Sequence, residues 1–124
     1  MKYIQWITLI PPPREALYPV VWIDVAKVDE AWQKSELYIS RGGGWAGDPD
    51  RYEKFGKWME RREPVQIPSL GLFDGVIEFN DGRHRFAWLR DHGVENMPVH
   101  VDPDKVELVK IWCGADLKAD GFWM

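Results

Sequence analysis

The stretch from residue 76 to residue 101 constrains the fold more than any other part of this 124-residue chain. Val76-Ile77-Glu78-Phe79 reads as a strand, and Asn80-Asp81-Gly82 as a turn. A helix is expected from about 83 to 92, with Phe86 and Leu89 on its apolar face and Gly93 as a left-handed cap. Met97–Val101 then reads as a second strand. A strand, a tight turn, a short helix and another strand within 26 residues belong to a mixed architecture, not to an all-helical bundle or an all-β sandwich.

The flanking sequence agrees. Residues 3–10 read as a strand ended by Pro11-Pro12-Pro13, because proline offers no ladder donor. Residues 18–25 form a second β-rich run, followed by a short helix at about 26–35 with Val28 and Trp32 on one face. Asp48-Pro49 is a helix start, a capping carboxylate before a proline at the first helical position. The amphipathic helix it opens carries Tyr52, Phe55 and Trp58 and stops before Pro64. Residues 65–67 suit a short strand, and the glycine-rich stretch before Val76 suggests a turn or hairpin. Val106–Trp112 is expected to be a final strand, followed by a tail punctuated by Gly and Asp. Strands and helices interleave without a regular βαβ rhythm, so the expectation is a single small α+β domain over residues 1–124, a mixed sheet with short helices.

The turn at 80–85 carries the chemistry. Helix N-termini bear partial positive charge, yet the first turn here would hold Arg83, His84 and Arg85. Stacking potential cations at that end is unfavourable by about 0.3–1 kcal/mol each unless an anion sits among them. Gly82 lets backbone approach such an anion, whose donors would be free helical N–H groups and charge-assisted arginine bonds. The competing reading pairs Arg83 or Arg85 with Asp81, Glu78 or Asp91 and leaves His84 merely packed. Helix-end physics alone leaves the ligand open.

The 76–101 block resembles the signature of the ParB/sulfiredoxin superfamily: a strand, a Gly-X-X-Arg turn, a helix with a small-residue face, a glycine cap and a Met-Pro-Val strand. That resemblance implies a small α+β ParB/sulfiredoxin-like fold and a turn that binds the phosphates of ATP or CTP. By position, Gly82 matches the motif glycine, His84 and Arg85 match the phosphate-binding His-Arg of sulfiredoxins, and Arg83 takes the place of their catalytic cysteine. Cys113, the chain's one cysteine, lies far from that place, so sulfinic acid reduction, which needs the thiolate, is excluded. A partition clamp is excluded as well, because the chain is short and acidic, with a net charge of −4. The whole-chain pattern looks closest to stand-alone plasmid fertility-inhibition proteins, which block conjugative DNA transfer through type IV secretion. The resemblance thus implies a protein partner in the conjugation machinery. The alternative is a small nucleotide-hydrolysing or DNA-cleaving enzyme, with Asp81, Arg83 and His84 as catalytic groups and Gly82, Arg83, His84 and Arg85 on the phosphate.

Arg41-Gly42-Gly43-Gly44 is a candidate lid over the nucleotide, although it lacks the Gly-Lys-Ser/Thr ending of a P-loop. Eight tryptophans are a heavy load for so small a domain, and Trp45 and Trp123 are candidate partner-binding residues. His84 and His92 would sit at opposite ends of one helix, ~12 Å apart by helical rise, so they cannot share a metal ion. No metal site of the protein's own is expected; magnesium would enter only with nucleotide phosphates, near Asp81 or Glu78. A lone cysteine and the lack of any apolar run near ~20 residues point to a cytoplasmic protein without a membrane span. Whether DNA is a ligand is open at this level.

Overall fold

The computed structural model describes residues 1–8, 18–44, 46–116 and 118–124. Over these residues it is an α+β fold of two small sheets and four short helices. In chain order the elements are β1 (Tyr3–Ile7), β2 (Val20–Asp24), α1 (Val25–Trp32), α2 (Pro49–Met59), β3 (Val65–Gln66), β4 (Ser69–Phe73), β5 (Val76–Asp81), α3 (Arg83–Asp91), β6 (Asn96–Val101), a 3-10 turn (Pro103–Lys105), α4 (Val106–Cys113) and β7 (Gly121–Trp123).

The larger sheet has strand order β2-β6-β4-β5 and is mixed: β6 runs antiparallel to β2 and parallel to β4, and β4–β5 is an antiparallel hairpin. The hairpin closes through Asp74 and Gly75 with φ of 50° and 78°. Two left-handed residues match the twist of the strands they join, which is why Asp-Gly occupies this turn. The smaller sheet, β3-β1-β7, places β1 between a parallel and an antiparallel neighbour. There β7 brings the end of the described chain back to its beginning, with Lys2 and Met124 exchanging backbone hydrogen bonds of 2.9 and 3.0 Å.

Three of these helices have a local cause. Asp24 caps α1 by accepting from the Lys27 N–H, and Val25, Val28 and Trp32 then recur on the buried face. Asp48 accepts from the N–H groups of Asp50 and Arg51, with Pro49 leading α2. Gly82 opens α3 at φ 85°, and Gly93 follows its end at φ 88°, while the Val94 N–H returns to the Leu89 carbonyl. The core gathers where α1 and α3 meet the larger sheet. Trp32, fully buried, meets the rings of Tyr38, Phe79 and Phe86 edge-on at 5.0, 4.8 and 5.6 Å.

One sequence expectation is corrected. Residues 106–112 do not form a strand; Val106–Cys113 is the helix α4. Valine, isoleucine and tryptophan favour strands by propensity, but β-propensity reflects packing context and gives way to it. Here Val106, Val109 and Cys113, at i, i+3 and i+7, turn to the core against β2 and α1, which is helical spacing. A two-residue alternation would have put Cys113 and Val106 on opposite faces.

Candidate functional site

Gly82 is required where it stands. Beyond its left-handed φ, a Cβ there would lie 2.8 Å from Arg85 Nη2 and 3.1 Å from the Pro68 Cα. The helix therefore starts abruptly, without a side-chain cap. Its first turn faces a cleft of about 510 Å³ between α2 and the β5–α3 turn. Asp81, Gly82, Arg83, His84 and Arg85 line one side, and Arg51 and Lys54 of α2 line the other. Phe55, Trp58 and Phe79 complete its apolar wall.

The three basic residues differ in what holds them. Arg83 Nη1 donates to the carbonyls of Leu37 at 3.0 Å and Ala46 at 2.9 Å, which fastens the connection between α1 and α2 to the start of α3. His84 is buried, and its Nε2 accepts the Asp48 N–H at 2.9 Å. That bond needs an unprotonated Nε2. Burial, followed by the charges of Arg83 and Arg51, pushes the imidazole pKa below its ordinary value against a smaller opposing pull from Asp48. His84 is therefore a neutral anchor between α3 and the cap of α2.

Arg85 pairs with Asp81 at 3.1 Å, one turn apart, and its Nε is buried without a hydrogen-bond partner among the described residues. Glu78 does not line the cleft. Arg51 contacts Asp48 only at 3.8 Å. Among the described residues, four cationic side chains thus line this space against the single carboxylate of Asp81. Such a surplus, beside free helical N–H groups, can receive an anion with more than one charged group.

The other candidate residues lie elsewhere. Arg41–Gly44 do not line the cleft. The Gly42 N–H donates to Asp91 Oδ2 at 2.9 Å, Arg41 Nη1 stands 4.0 Å from Asp91, and Gly43 packs its backbone on the Tyr52 ring. Trp45 lies outside the described residues. Trp123 is 64% exposed and meets Tyr3 edge-on at 5.1 Å. His92 stacks on Trp88 at 3.7 Å, whereas His100 is buried in β6. Among the described residues no three His, Cys, Asp or Glu side chains gather as a metal site would require.

Sequence reasoning missed two groups. Arg51 and Lys54 share a helix face with Phe55 and Trp58, so their i, i+3 spacing was a readable signal. The second group is a buried network at the far end of α3. Arg90 Nη1 bonds Asp29 at 2.9 Å and the Ile39 carbonyl at 2.6 Å, and Arg90 Nε bonds Asp91 at 2.8 Å. Asp91 also accepts from the Tyr52 hydroxyl at 2.7 Å. Burial alone would raise the Asp91 pKa, but Arg90, Tyr52 and the Gly42 N–H together hold it below its ordinary value. Burial and the Asp91 carboxylate push the Tyr52 hydroxyl up to about 12. No periodicity announces the partners that Arg90 and Asp91 find outside α3, which lie 39 to 61 residues away.

No family model and no curated protein sequence matches the chain. Among solved structures, a match is found. The fold is similar to that of the Oncogenic Suppression Activity Protein, a plasmid fertility inhibition factor. The superposition with this factor, solved as a gold(I) cyanide derivative, has a TM-score of 0.55 at 19% sequence identity. It covers 77% of this chain and 56% of the Oncogenic Suppression Activity Protein, so the chain spans little more than half that protein's length. At this identity the likeness is one of fold.

Proposed function

We propose that this protein inhibits conjugative DNA transfer by docking on a protein component of a type IV secretion apparatus in the cytoplasm of the plasmid-bearing cell, with the phosphates of ATP or CTP held in the cleft at the start of α3. The observation that carries this reading is the shared fold with a plasmid fertility inhibition factor over 77% of the chain. The cleft supports the nucleotide half of it. Arg51 and Lys54 face Arg83 and Arg85 across a space of about 510 Å³, within the range of small-ligand sites. The resemblance of residues 76–101 to ParB/sulfiredoxin proteins supplies a nucleotide as the polyanion. Magnesium would accompany the phosphates, with Asp81 as the nearby carboxylate.

Holding is favoured over cutting. His84 Nε2 is engaged by the Asp48 N–H, and Asp81 is engaged by Arg85, so neither is free as a general base. A nucleotide hydrolase or nuclease would need one of them released. The deciding experiment expresses the protein in donor cells and counts transconjugants. Transfer frequency is expected to fall by orders of magnitude; unchanged transfer with full expression would remove the inhibitory reading.

A further inference from the structure

A second cavity of about 370 Å³ adjoins the anion cleft and shares Phe55, Trp58 and Arg85 with it. Its remaining walls are Ile7, Pro64 and Gln66. Ile7 and Gln66 are paired across β1 and β3, so their relative position is set by the smaller sheet. The two cavities differ in character. The first is basic; among the described residues, apart from the shared Arg85, the second is lined by uncharged, mostly apolar side chains. Trp58 belongs to both, is 37% exposed, and carries the Arg61 guanidinium 5.0 Å from its ring centroid.

Free phosphate, or a polyphosphate chain, would use the basic cleft and leave the second cavity without a role. A ligand that joins a polyanion to a flat aromatic ring would use both. We infer that the second cavity receives the base of the nucleotide, with Trp58 and Phe55 as its apolar wall and the Gln66 amide at its polar edge. This rests on the nucleotide reading of the anion cleft and adds to it the place of the base. An amide presents both donors and an acceptor, so Gln66 can meet a base edge, while Trp58 offers a π-face to any base. A nucleic-acid strand fits less well, since the chain carries a net charge of −4 and would repel a long phosphate backbone outside the cleft.

The test is calorimetric titration of the full chain with ATP, CTP, tripolyphosphate and a single-stranded oligothymidylate. At least one nucleotide should bind about 10- to 100-fold more tightly than tripolyphosphate, the range of base–aromatic stacking. Trp58→Ala should erase that margin without weakening tripolyphosphate, and Trp58→Phe should largely retain it. Gln66→Trp, at an exposed position, fills the same cavity and should also erase the margin, which keeps the test alive if Trp58→Ala does not fold. Equal affinity for nucleotide and tripolyphosphate, unmoved by these variants, would overturn the base site and leave the anion cleft standing. Tighter binding of the oligonucleotide than of any mononucleotide would overturn it in favour of a strand. Absence of binding by all four probes would remove the nucleotide reading and this inference together.

Discussion

The two ends of α3 use the same residue types for opposite ends. At its C-terminus, Arg90 and Asp91 have side chains only 2% and 8% exposed, and Asp29, Tyr52, Ile39 and Gly42 supply further bonds. At its N-terminus, Arg85 and Asp81 are 21% and 48% exposed and stand beside a cleft with surplus positive charge. An ion pair enclosed by partners fixes the chain around it. One left at the rim of a cleft, with donors to spare, is available to a ligand. Burial, not residue type, separates the two roles.

The sharpest way to break this contrast is Arg90→Ala. Removing the guanidinium strands Asp29 and Asp91 in the interior, a loss expected to cost about 3–5 kcal/mol. Urea denaturation measures it; a cost below about 1 kcal/mol would put the buried pair on a par with an exposed one. Asp91→Asn is next, at about 2–3 kcal/mol, because it weakens charge-assisted bonds without emptying the space. It also carries a pH signature. The Asp91 pKa is depressed in the folded protein, so its stabilisation is present above the ordinary value of 3.8 and is lost as pH falls below it through the folded value. Denaturation curves between pH 5 and 2 should therefore fall less steeply for the asparagine variant.

At the other end, His84→Ala should cost about 1–2 kcal/mol at pH 8, since it removes the acceptor of the Asp48 N–H. The depressed imidazole pKa makes the unfolded chain bind a proton first. His84's contribution is thus complete above its ordinary value of 6.5 and declines as pH drops through and below it. The wild type should lose stability over that interval more than the variant does. Arg85→Ala has the smallest expected effect on folding, about 0–1 kcal/mol for a partly exposed pair. Yet it should abolish ATP or CTP binding in calorimetry. A large drop in melting temperature with binding intact would invert the proposed division between the ends of α3.

Much of this organisation is legible in the chain, for local reasons. Asp48-Pro49 marks the start of α2, and Gly82 and Gly93 bracket α3, because caps and left-handed glycines act within a few residues. The crowding of Arg83, His84 and Arg85 at a helix start is likewise visible, since the helix dipole is a local property. Val106–Trp112 suits a strand by its β-branched and aromatic residues, and only contact with β2 and α1 decides for a helix. Lys54 and Arg51 carried a readable spacing, but nothing local says that their helix faces α3.

The sequence by itself determined where α2 and α3 begin, where α3 ends and that positive charge gathers at Gly82–Arg85. These follow from backbone φ, capping bonds and helix polarity, which operate over one or two turns. Only the tertiary structure decided which of those charges are spoken for. It turned Arg83 toward the carbonyls of Leu37 and Ala46, made His84 a neutral anchor, closed Arg85 on Asp81 and brought Arg51 and Lys54 across the cleft. Most of those meetings join residues 36 to 46 positions apart in the chain, and which groups meet is set by packing of the core, not by spacing along the sequence.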